Sequence, residues 1–428
     1  MFVGDSLPSH LMMGLHRDPT LFPNMTLFWA EIRKRLWLTV IEIELQVSLQ
    51  SGIPLALSWE DFDCPPPINI EDDDFSLNST SMAPERDIFT PTKTTFQIVL
   101  ARSLRVRMEI TKLINRARLN VDPNTIMSLS DSLMSSLNEA PAQLRDDFGS
   151  GDAKNNAFQR SFHLFLIWRS MLALHRLVFL KQVDVGNEVY SVSRMYCVQA
   201  SVALLAQLEF VSQIPANVSP HPADIALPHV LHLKGGLIQD DIFHAAITIC
   251  LELRLELTES KSPLVTGTIS NLVSQSAQYH RKALFQSIEH ALEHFENMVR
   301  WEARACKFFT SLCILHMTLE SQSVTGSTPT TDGSESSTHQ PLTIDEACPM
   351  ASRRCLELLK GPKHGHRSTD QDGDFDTESL NPVFDGLLSA NAPLHSEFLD
   401  DMPNMEMSDL LGITLEDLDF DWTMLPEL

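Results

Sequence analysis

Apolar residues recur at steps of three and four through most of the first 320 positions of this chain. That spacing places them along one side of an α-helix. No stretch alternates apolar and polar residues with period two for long enough to predict a convincing strand. The predicted fold class is therefore all-α, with a helical body, disordered linkers and an acidic C-terminal tail.

One of these patterns predicts a long helix that ends near Ser51. Gly52 is the residue type that closes a helix without a Cβ penalty, and Pro54 prevents the helix from continuing. Glu31 and Arg35 lie one turn apart and can form an ion pair. The predicted apolar stripe consists of Trp29, Ile32, Leu36, Val40, Ile43 and Val47, with Arg33 and Lys34 pointing away from it.

The loop after this helix is rich in Asp, Pro and Ser and extends to about residue 91. Three consecutive prolines at 65–67 exclude helix and favour extended chain. We expect order in this loop only as far as Phe75. Thr94 or Thr95 is then the expected cap of the next helix.

That next helix is the most basic element predicted. Its basic residues are Arg102, Arg105, Arg107, Lys112, Arg116 and Arg118. Such charges usually form a solvated face, which is the favoured interpretation. The alternative is a docking surface for the acidic tail.

A central helix is predicted at 157–181, where apolar residues cover more than one side. It carries His175 and Arg176 within this apolar sequence. A histidine satisfied by hydrogen bonds inside the packed core is the favoured interpretation of His175. The alternative is that both residues belong to a ligand pocket.

Charge and composition separate the rest of the chain from this body. The net charge is −24, and residues 370–428 contain sixteen acidic residues and no Lys or Arg. Polar, low-complexity sequence at 321–340 cannot bury enough apolar surface to order itself. The predicted domains are a helical regulatory domain at 1–320, a disordered linker at 321–341, a short helix at 342–360 and an acidic tail at 361–428.

Within the tail, acidic residues alternate with large apolar ones, which is typical of an acidic activation segment. Thr414 and Asp417 can form a capping pair for a short helix. The expected coactivator contacts of that helix are Leu415, Leu418, Phe420, Trp422 and Leu425. A tail that only solvates the protein is the alternative, although such a tail needs no aromatic residues.

Several function classes are disfavoured. No basic cluster of the kind that binds nucleic acid is visible, and neither a signal peptide nor a membrane span is predicted.

The pairs Cys306/Cys313 and Cys348/Cys355 have the six-residue spacing found in zinc clusters but lack a companion C-x-x-C. His290 to His294 match H-x-x-E-H without a visible third ligand. We expect neither an enzyme nor a metal or other cofactor in this chain.

The segments GLHRDP, AEIRKRLW, SLQSGIP, DFDCPPP and INIEDDD follow one another between residues 14 and 74. In this order they resemble the middle homology region of fungal transcription regulators. The later segments ARSLRVR at 101–107 and LALHR at 172–176 also resemble that family, so the resemblance extends over about residues 10–320. Leu38 departs from the many members that carry a second tryptophan there. The positions that carry the motifs are His16, Arg17, Asp18, Glu31, Arg33, Arg35, Trp37, Gly52, Pro54, Asp63, Asp72 and Asp73.

The resemblance implies a nuclear activator of RNA polymerase II genes, often specific for one secondary-metabolite or toxin cluster. Members usually carry an N-terminal binuclear zinc cluster, which this sequence lacks. Promoter DNA would then be reached only through an upstream zinc cluster or a DNA-binding partner. The alternative is a ligand-sensing or interaction module that does not bind DNA, and a small-molecule effector is compatible with either function.

Overall fold

A computed structural model of the chain describes residues 6–116, 122–145, 157–180, 188–212, 236–259, 268–299, 303–325 and 341–360. Within these ranges the chain forms α-helices and short 3-10 turns and contains no β-strand, which confirms the all-α prediction. The predicted acidic tail at 361–428 lies outside the described residues.

The described helices are α1 (Ser6–Met12), α2 (Leu27–Ser51), α3 (Thr95–Ile114), α4 (Pro123–Asn138), α5 (Ala142–Arg145), α6 (Ala157–Phe179), α7 (Glu188–Ser212), α8 (Gly236–Glu259), α9 (Thr268–Met298), α10 (Ala303–Thr325) and α11 (Ile344–Lys360). The 3-10 turns are Pro19–Leu21, Trp59–Asp61 and Asp72–Asp74.

The chain divides into two compact units, Met1–Ile249 and Cys250–Leu428, and α8 crosses the division. In the first unit α6 packs along α7, and α3 packs against α2, α4 and α6. In the second unit α10 packs against both α9 and α11.

Helix α2 ends where the sequence predicts. The hydroxyl of Thr26 accepts a hydrogen bond from Trp29 N at its start. Gly52 follows its last residue in the left-handed conformation, with φ +65°. Asn115, at the end of α3, donates to the carbonyl oxygens of Ser48 (2.8 Å), in the last turn of α2, and of Ile53 (2.7 Å), just after it. The bond to Ser48 satisfies an acceptor that the end of a helix leaves without a partner.

The predicted apolar stripe of α2 is wrong as a buried face. Trp29, Leu36 and Ile43 are 52%, 49% and 44% exposed. The face that is buried lies to one side of it and forms a core with other parts of the first unit. That core consists of Leu7, Leu15, Trp37, Ile41, Leu45, Leu57, Cys64, Leu104 and Met108. Because α2 carries apolar residues on more than one side, its periodicity alone does not choose between these faces.

The loop between α2 and α3 is described throughout, so the expectation of order only to Phe75 is wrong. The prolines at 65–67 lie in extended chain, as predicted. Thr94 is the residue before α3, but its hydroxyl donates to Ile68 O (2.9 Å) and does not cap the helix. The loop is held by side-chain hydrogen bonds that reach across it.

The segment Gln159–Phe179 of α6 is long and apolar enough to span a membrane by length and composition, with a mean hydropathy of 1.3. Several of its polar side chains are nevertheless buried and bonded inside the first unit. His163, for example, is hydrogen-bonded to Leu144 O (3.0 Å). Core packing accounts for the apolar character of this helix.

Helix α10 continues to Thr325, so the first five residues of the predicted linker are helical. Residues 326–340 lie outside the described residues. The short helix expected after the linker is present as α11. Its N-terminus carries a capping pair, in which Thr343 Oγ1 accepts from Glu346 N (3.3 Å) and Thr343 N donates to Glu346 Oε2 (2.9 Å).

Candidate functional site

Most of the motif residues converge around α2. We call this arrangement the N-terminal network. Its members are His16, Arg17, Asp18, Glu31, Arg33, Arg35, Trp37, Asp63 and Asp72.

The first part of the network joins two distant loops. Asp63 Oδ1 accepts from Asp18 N (2.7 Å), and Asp63 Oδ2 lies 3.1 Å from Arg17 Nη2. The carbonyl oxygen of His16 accepts from the backbone N–H groups of Asp63 (3.1 Å) and Cys64 (3.0 Å). Asp18 itself caps the first 3-10 turn. Hydrogen bonds from Thr20 hold the pKa of the Asp18 carboxyl below its ordinary value.

Arg33 contacts the chain just after helix α1, which corrects its predicted position away from the packed side. Its Nη2 donates to Met13 O (3.0 Å) and Gly14 O (2.6 Å), in the turn that follows α1. Its guanidinium also lies 4.8 Å from the centre of the Phe22 ring. Gly14 has φ +67°, so this contact includes a backbone conformation that favours glycine.

The centre of the network is the buried carboxylate of Glu31, which is 2% exposed. Glu31 Oε1 accepts from Ile68 N (3.1 Å) and lies 3.5 Å from Arg35 Nε, so the predicted pair is present. Arg35 Nη1 then donates to Asp72 Oδ1 (2.6 Å). Glu31 and Arg35 thereby attach the proline-containing loop to α2.

Trp37 packs at the inner edge of this network and is fully buried. Its ring lies 5.4 Å from that of Phe62 and 6.1 Å from that of His16, measured between centroids. Burial raises the pKa of the nearby Cys64 thiol to about 12, so that cysteine behaves as a small apolar residue. Pro54 follows Gly52 just after the end of α2, as predicted.

Three motif positions take no part in the network: Gly52 and Pro54, which follow the end of α2, and Asp73. Asp73 is exposed on the third 3-10 turn, whereas the next residue, Asp74, accepts from Arg86 Nη2 (2.8 Å) and from Glu71 N (2.9 Å). The sequence alone does not distinguish these adjacent carboxylates, because each lies in the same acidic run.

Asn69 is a structural residue that the sequence did not identify. It is 1% exposed, and its Nδ2 donates to the carbonyl oxygens of Arg86, Asp87 and Thr90. Its Oδ1 accepts from the hydroxyl groups of Thr92 (2.7 Å) and Thr95 (2.8 Å). This one side chain orders the loop as far as the start of α3.

Arg107 corrects the interpretation of α3 as carrying only solvated charge. It is 1% exposed, and its Nη1 and Nη2 donate to Glu42 Oε1 (2.6 Å) and Oε2 (2.8 Å). Such a bidentate pair joins α2 to α3. Arg102, Arg105, Lys112 and Arg116 are exposed, and Arg118 lies outside the described residues.

His175 is satisfied within the core, as predicted. Its Nε2 and Nδ1 lie 2.9 Å and 3.1 Å from the hydroxyl oxygens of Ser130 and Ser193. The ring stacks on Tyr196 with 4.7 Å between centroids. Burial lowers the pKa of His175 to about 4, so the imidazole is neutral at pH 7.

Chemically, the N-terminal network consists of hydrogen-bonded and ion-paired groups that join α2 to the loops around it. No group of three or more His, Cys, Asp or Glu side chains with the geometry of a metal site occurs in the part of the chain that the structure describes. The thiol of Cys306 is hydrogen-bonded to that of Cys355. These two cysteines belong to different pairs in the sequence, so their contact does not follow the six-residue spacing.

The predicted coactivator contacts Leu415, Leu418, Phe420, Trp422 and Leu425 lie outside the described residues. Their role stays a prediction from the sequence.

A known protein family matches the part of the chain that contains the network. Residues 2–170 match the fungal specific transcription factor domain. This interval contains α1 to α5 and the first part of α6, and therefore the entire N-terminal network.

Individual relatives of this chain are also described as transcription factors. The transcription factor lepE of Aspergillus flavus is 32% identical over 288 residues, which are 66% of this chain and 33% of that protein. The transcription factor opdR of Penicillium oxalicum is 27% identical over 321 residues, 73% of this chain and 40% of that protein. The equisetin cluster transcription factor eqxF of Fusarium heterosporum is 34% identical over 102 residues, 24% of this chain and 15% of that protein.

The chain spans less than half the length of the relatives that it matches first, between 33% and 46%. No solved structure matches it.

Proposed function

We propose that this chain, which belongs to the fungal specific transcription factor family, is part of a transcription regulator of RNA polymerase II genes. The observation that carries the proposal is the family match over residues 2–170, where the motif residues also converge on one network. A network of structural hydrogen bonds and ion pairs suits a regulatory domain better than an enzyme. We therefore propose a function that is not enzymatic.

The regulator is proposed to act on one biosynthetic gene cluster. Relatives of this chain include transcription factors named for the equisetin, fusarisetin A and pyrrolocin clusters. A secondary-metabolite or toxin cluster is therefore the proposed target class.

Activation is assigned to the acidic tail. Residues 370–428 carry sixteen acidic residues and no Lys or Arg, with large apolar residues between them. Such a segment can present an apolar helix side to a coactivator groove, while its carboxylates steer it toward basic rims. The proposed contacts are Leu415, Leu418, Phe420, Trp422 and Leu425.

Promoter recognition is assigned to groups outside this sequence. A chain with a net charge of −24 is poorly suited to binding the phosphate backbone by itself. A zinc cluster preceding this segment, or a DNA-binding partner, would supply recognition, and zinc would be bound only there. The proposed site of action is the nucleus.

A reporter assay tests the activation proposal. Residues 370–428 are fused to an unrelated DNA-binding domain, and transcription is compared with that from the DNA-binding domain alone. We expect activation by the natural tail and its loss in the triple variant Phe420→Ala, Trp422→Ala, Leu425→Ala, because the apolar contacts are removed and the charge is kept.

The matched control replaces three polar residues of the same tail, Ser389, Asn391 and Ser396, by Ala, and should activate like the natural sequence. A silent natural tail, or an aromatic variant that activates fully, would contradict the assignment. Immunoblotting for equal fusion levels is required in each case.

A further inference from the structure

Two cysteines meet between two helices of the second unit. Cys306 lies on α10 and Cys355 on α11, and these helices pack directly against each other. The two side chains are 3% and 0% exposed, and their thiols are hydrogen-bonded to each other. Two sulfur atoms in such contact need only a small approach to reach the length of a disulfide bond.

The side of α11 that carries Cys355 consists of small residues. Ala347, Ala351 and Cys355 recur at four-residue steps, and each is 0% exposed. The distance between packed helices depends on the size of the side chains at their contact. A disulfide between two helices requires close backbones, with about 4.4–6.8 Å between Cα atoms, and a small-residue interface permits this approach.

The sequence pairs with six-residue spacing cannot form such a bond within their helices. Cys313 lies seven residues after Cys306 on α10, which is about 10.5 Å along the helix axis. Cys348 and Cys355 have the same separation on α11, and Cys348 is exposed. These distances exceed what a disulfide can span. The contact between helices therefore selects Cys306 and Cys355.

One thiol of this pair is activated by the other. The hydrogen bond from Cys306 lowers the pKa of Cys355 to about 7, although burial opposes this effect. The same contact raises the pKa of Cys306. At pH 7.5 Cys355 is therefore mostly thiolate, which is the form that attacks an oxidant, whereas Cys306 keeps its proton.

We propose that Cys306 and Cys355 form a reversible disulfide when the protein meets a peroxide. The Cys355 thiolate attacks one peroxide oxygen, the O–O bond breaks, and Cys355 becomes a sulfenic acid. The sulfur of Cys306 then bonds to that of Cys355, and its proton leaves with the displaced hydroxide as water. Two thiols and one hydrogen peroxide thus give one disulfide and two water molecules. A thiol such as glutathione restores both cysteines by exchange.

This bond fixes α11 to α10. In the reduced chain α11 carries an exposed ion pair, with 2.9 Å between Arg354 Nη2 and Glu296 Oε2, and Pro349 removes one of its backbone hydrogen bonds. Local opening of α11 is the route by which peroxide reaches the buried pair. Residue 361, the first of the acidic tail, follows α11 directly, so oxidation anchors the base of the tail. The pair lies outside residues 2–170 and does not depend on the proposed function.

Mass spectrometry of the oxidised full chain tests the proposal. The dilute, reduced protein receives one equivalent of hydrogen peroxide at pH 7.5, the remaining thiols are blocked with N-ethylmaleimide, and the chain is digested without reductant. We expect the loss of two of the seven thiols and one linked peptide pair containing Cys306 and Cys355, which reduced glutathione separates again. The oxidised protein should also have a higher Tm than the reduced protein, because the cross-link closes a long loop.

Cys348→Ser is the matched control, because Cys348 lies on α11 but is exposed. It should form the link like the natural chain. Cys306→Ser should form no link and should leave a sulfenic acid at Cys355, which dimedone labels. Circular dichroism checks that each variant is folded, and the natural chain decides alone where one is not. A link from Cys355 to Cys313 would overturn the pairing. Oxidation at Cys348 alone, with Cys306 and Cys355 both blocked by N-ethylmaleimide, would overturn the proposal.

Discussion

Gly14 and Gly52 have nearly the same backbone conformation, with φ +67° and φ +65°, but different surroundings. A Cβ atom at Gly52 would have no neighbouring atom within 4 Å. A Cβ atom at Gly14 would lie 3.2 Å from Phe22 Cζ and 3.5 Å from Arg33 Nη2. The two positions therefore separate the cost of a left-handed backbone from the cost of crowding.

Replacing each glycine by alanine should reveal this difference. Gly52→Ala is expected to lower the free energy of unfolding by about 1 kcal/mol, the cost of a left-handed conformation for a residue with a Cβ. Gly14→Ala should lower it further, because the Phe22 ring must also move. Urea unfolding of the full chain followed by tryptophan fluorescence measures both. Equal losses would show that the Phe22 ring moves without cost.

At the scale of helices, the pairing of α2 with α3 depends on a charged contact inside a mostly apolar interface. Arg107 Nε donates to Ser103 Oγ (3.0 Å) on its own helix, and Nη2 donates to Leu100 O (3.1 Å). These bonds hold the guanidinium in the orientation that meets both oxygens of Glu42. A buried charge held in this way fixes which faces of the two helices meet.

Removing this arginine should therefore be costly. Arg107→Met is expected to lower the free energy of unfolding by about 3–5 kcal/mol, because Glu42 loses its partner in a largely buried position. Arg105→Met, on the exposed side of α3, should cost no more than about 0.5 kcal/mol. Urea denaturation provides both values.

A double-mutant cycle provides the internal check. Glu42→Gln combined with Arg107→Met should cost less than the sum of the two single changes, because neither charge is then left unpaired. Additive losses would show that the two side chains do not interact as the distances indicate.

At the scale of the whole molecule, buried histidines couple stability to pH. Burial lowers the pKa of His175 to about 4 and that of His163 below its ordinary value of 6.5. The unfolded chain binds protons at these sites below pH 6.5, whereas the folded chain does not. Their contribution to stability is therefore complete above pH 6.5 and decreases as the pH falls toward 4. Asp241, with its pKa raised to about 6, acts in the opposite direction.

His175→Gln isolates one of these contributions. Between pH 7.5 and pH 5 the natural protein should lose about 2 kcal/mol more stability than this variant, from a pKa of 6.5 in the unfolded chain and about 4 in the folded one. Urea unfolding at the two pH values gives the difference. If both proteins respond to pH equally, the buried imidazole does not titrate as its surroundings require.

Much of the fold could be predicted from local sequence chemistry. The end of α2 at Gly52, the residue that precedes α3, the position of α11 and the pairing of Glu31 with Arg35 all depend on residues within a few positions of one another. Helical periodicity, glycine and proline act over that same range. The burial of His175 was also predictable, because it lies in an apolar helix.

Other features depended on residues far apart in the chain. Helix α2 offers two apolar faces, and the loops and α3 that pack against it decide that Trp37, Ile41 and Leu45 are buried. Asn69 receives its partners from positions 17 to 26 residues away, and Arg107 meets Glu42 across 65 residues. Arg169 on α6 and Asp241 on α8 are 72 positions apart, and their ion pair forms only in the folded chain.

The sequence by itself determined that this chain is helical, where its main helices end, and which family it resembles. Only the tertiary structure decided which apolar face of α2 is buried and which charges are paired. The physical reason is one of range. Backbone propensity and capping act between neighbouring residues, whereas burial and ion pairing require side chains that only the folded chain brings together.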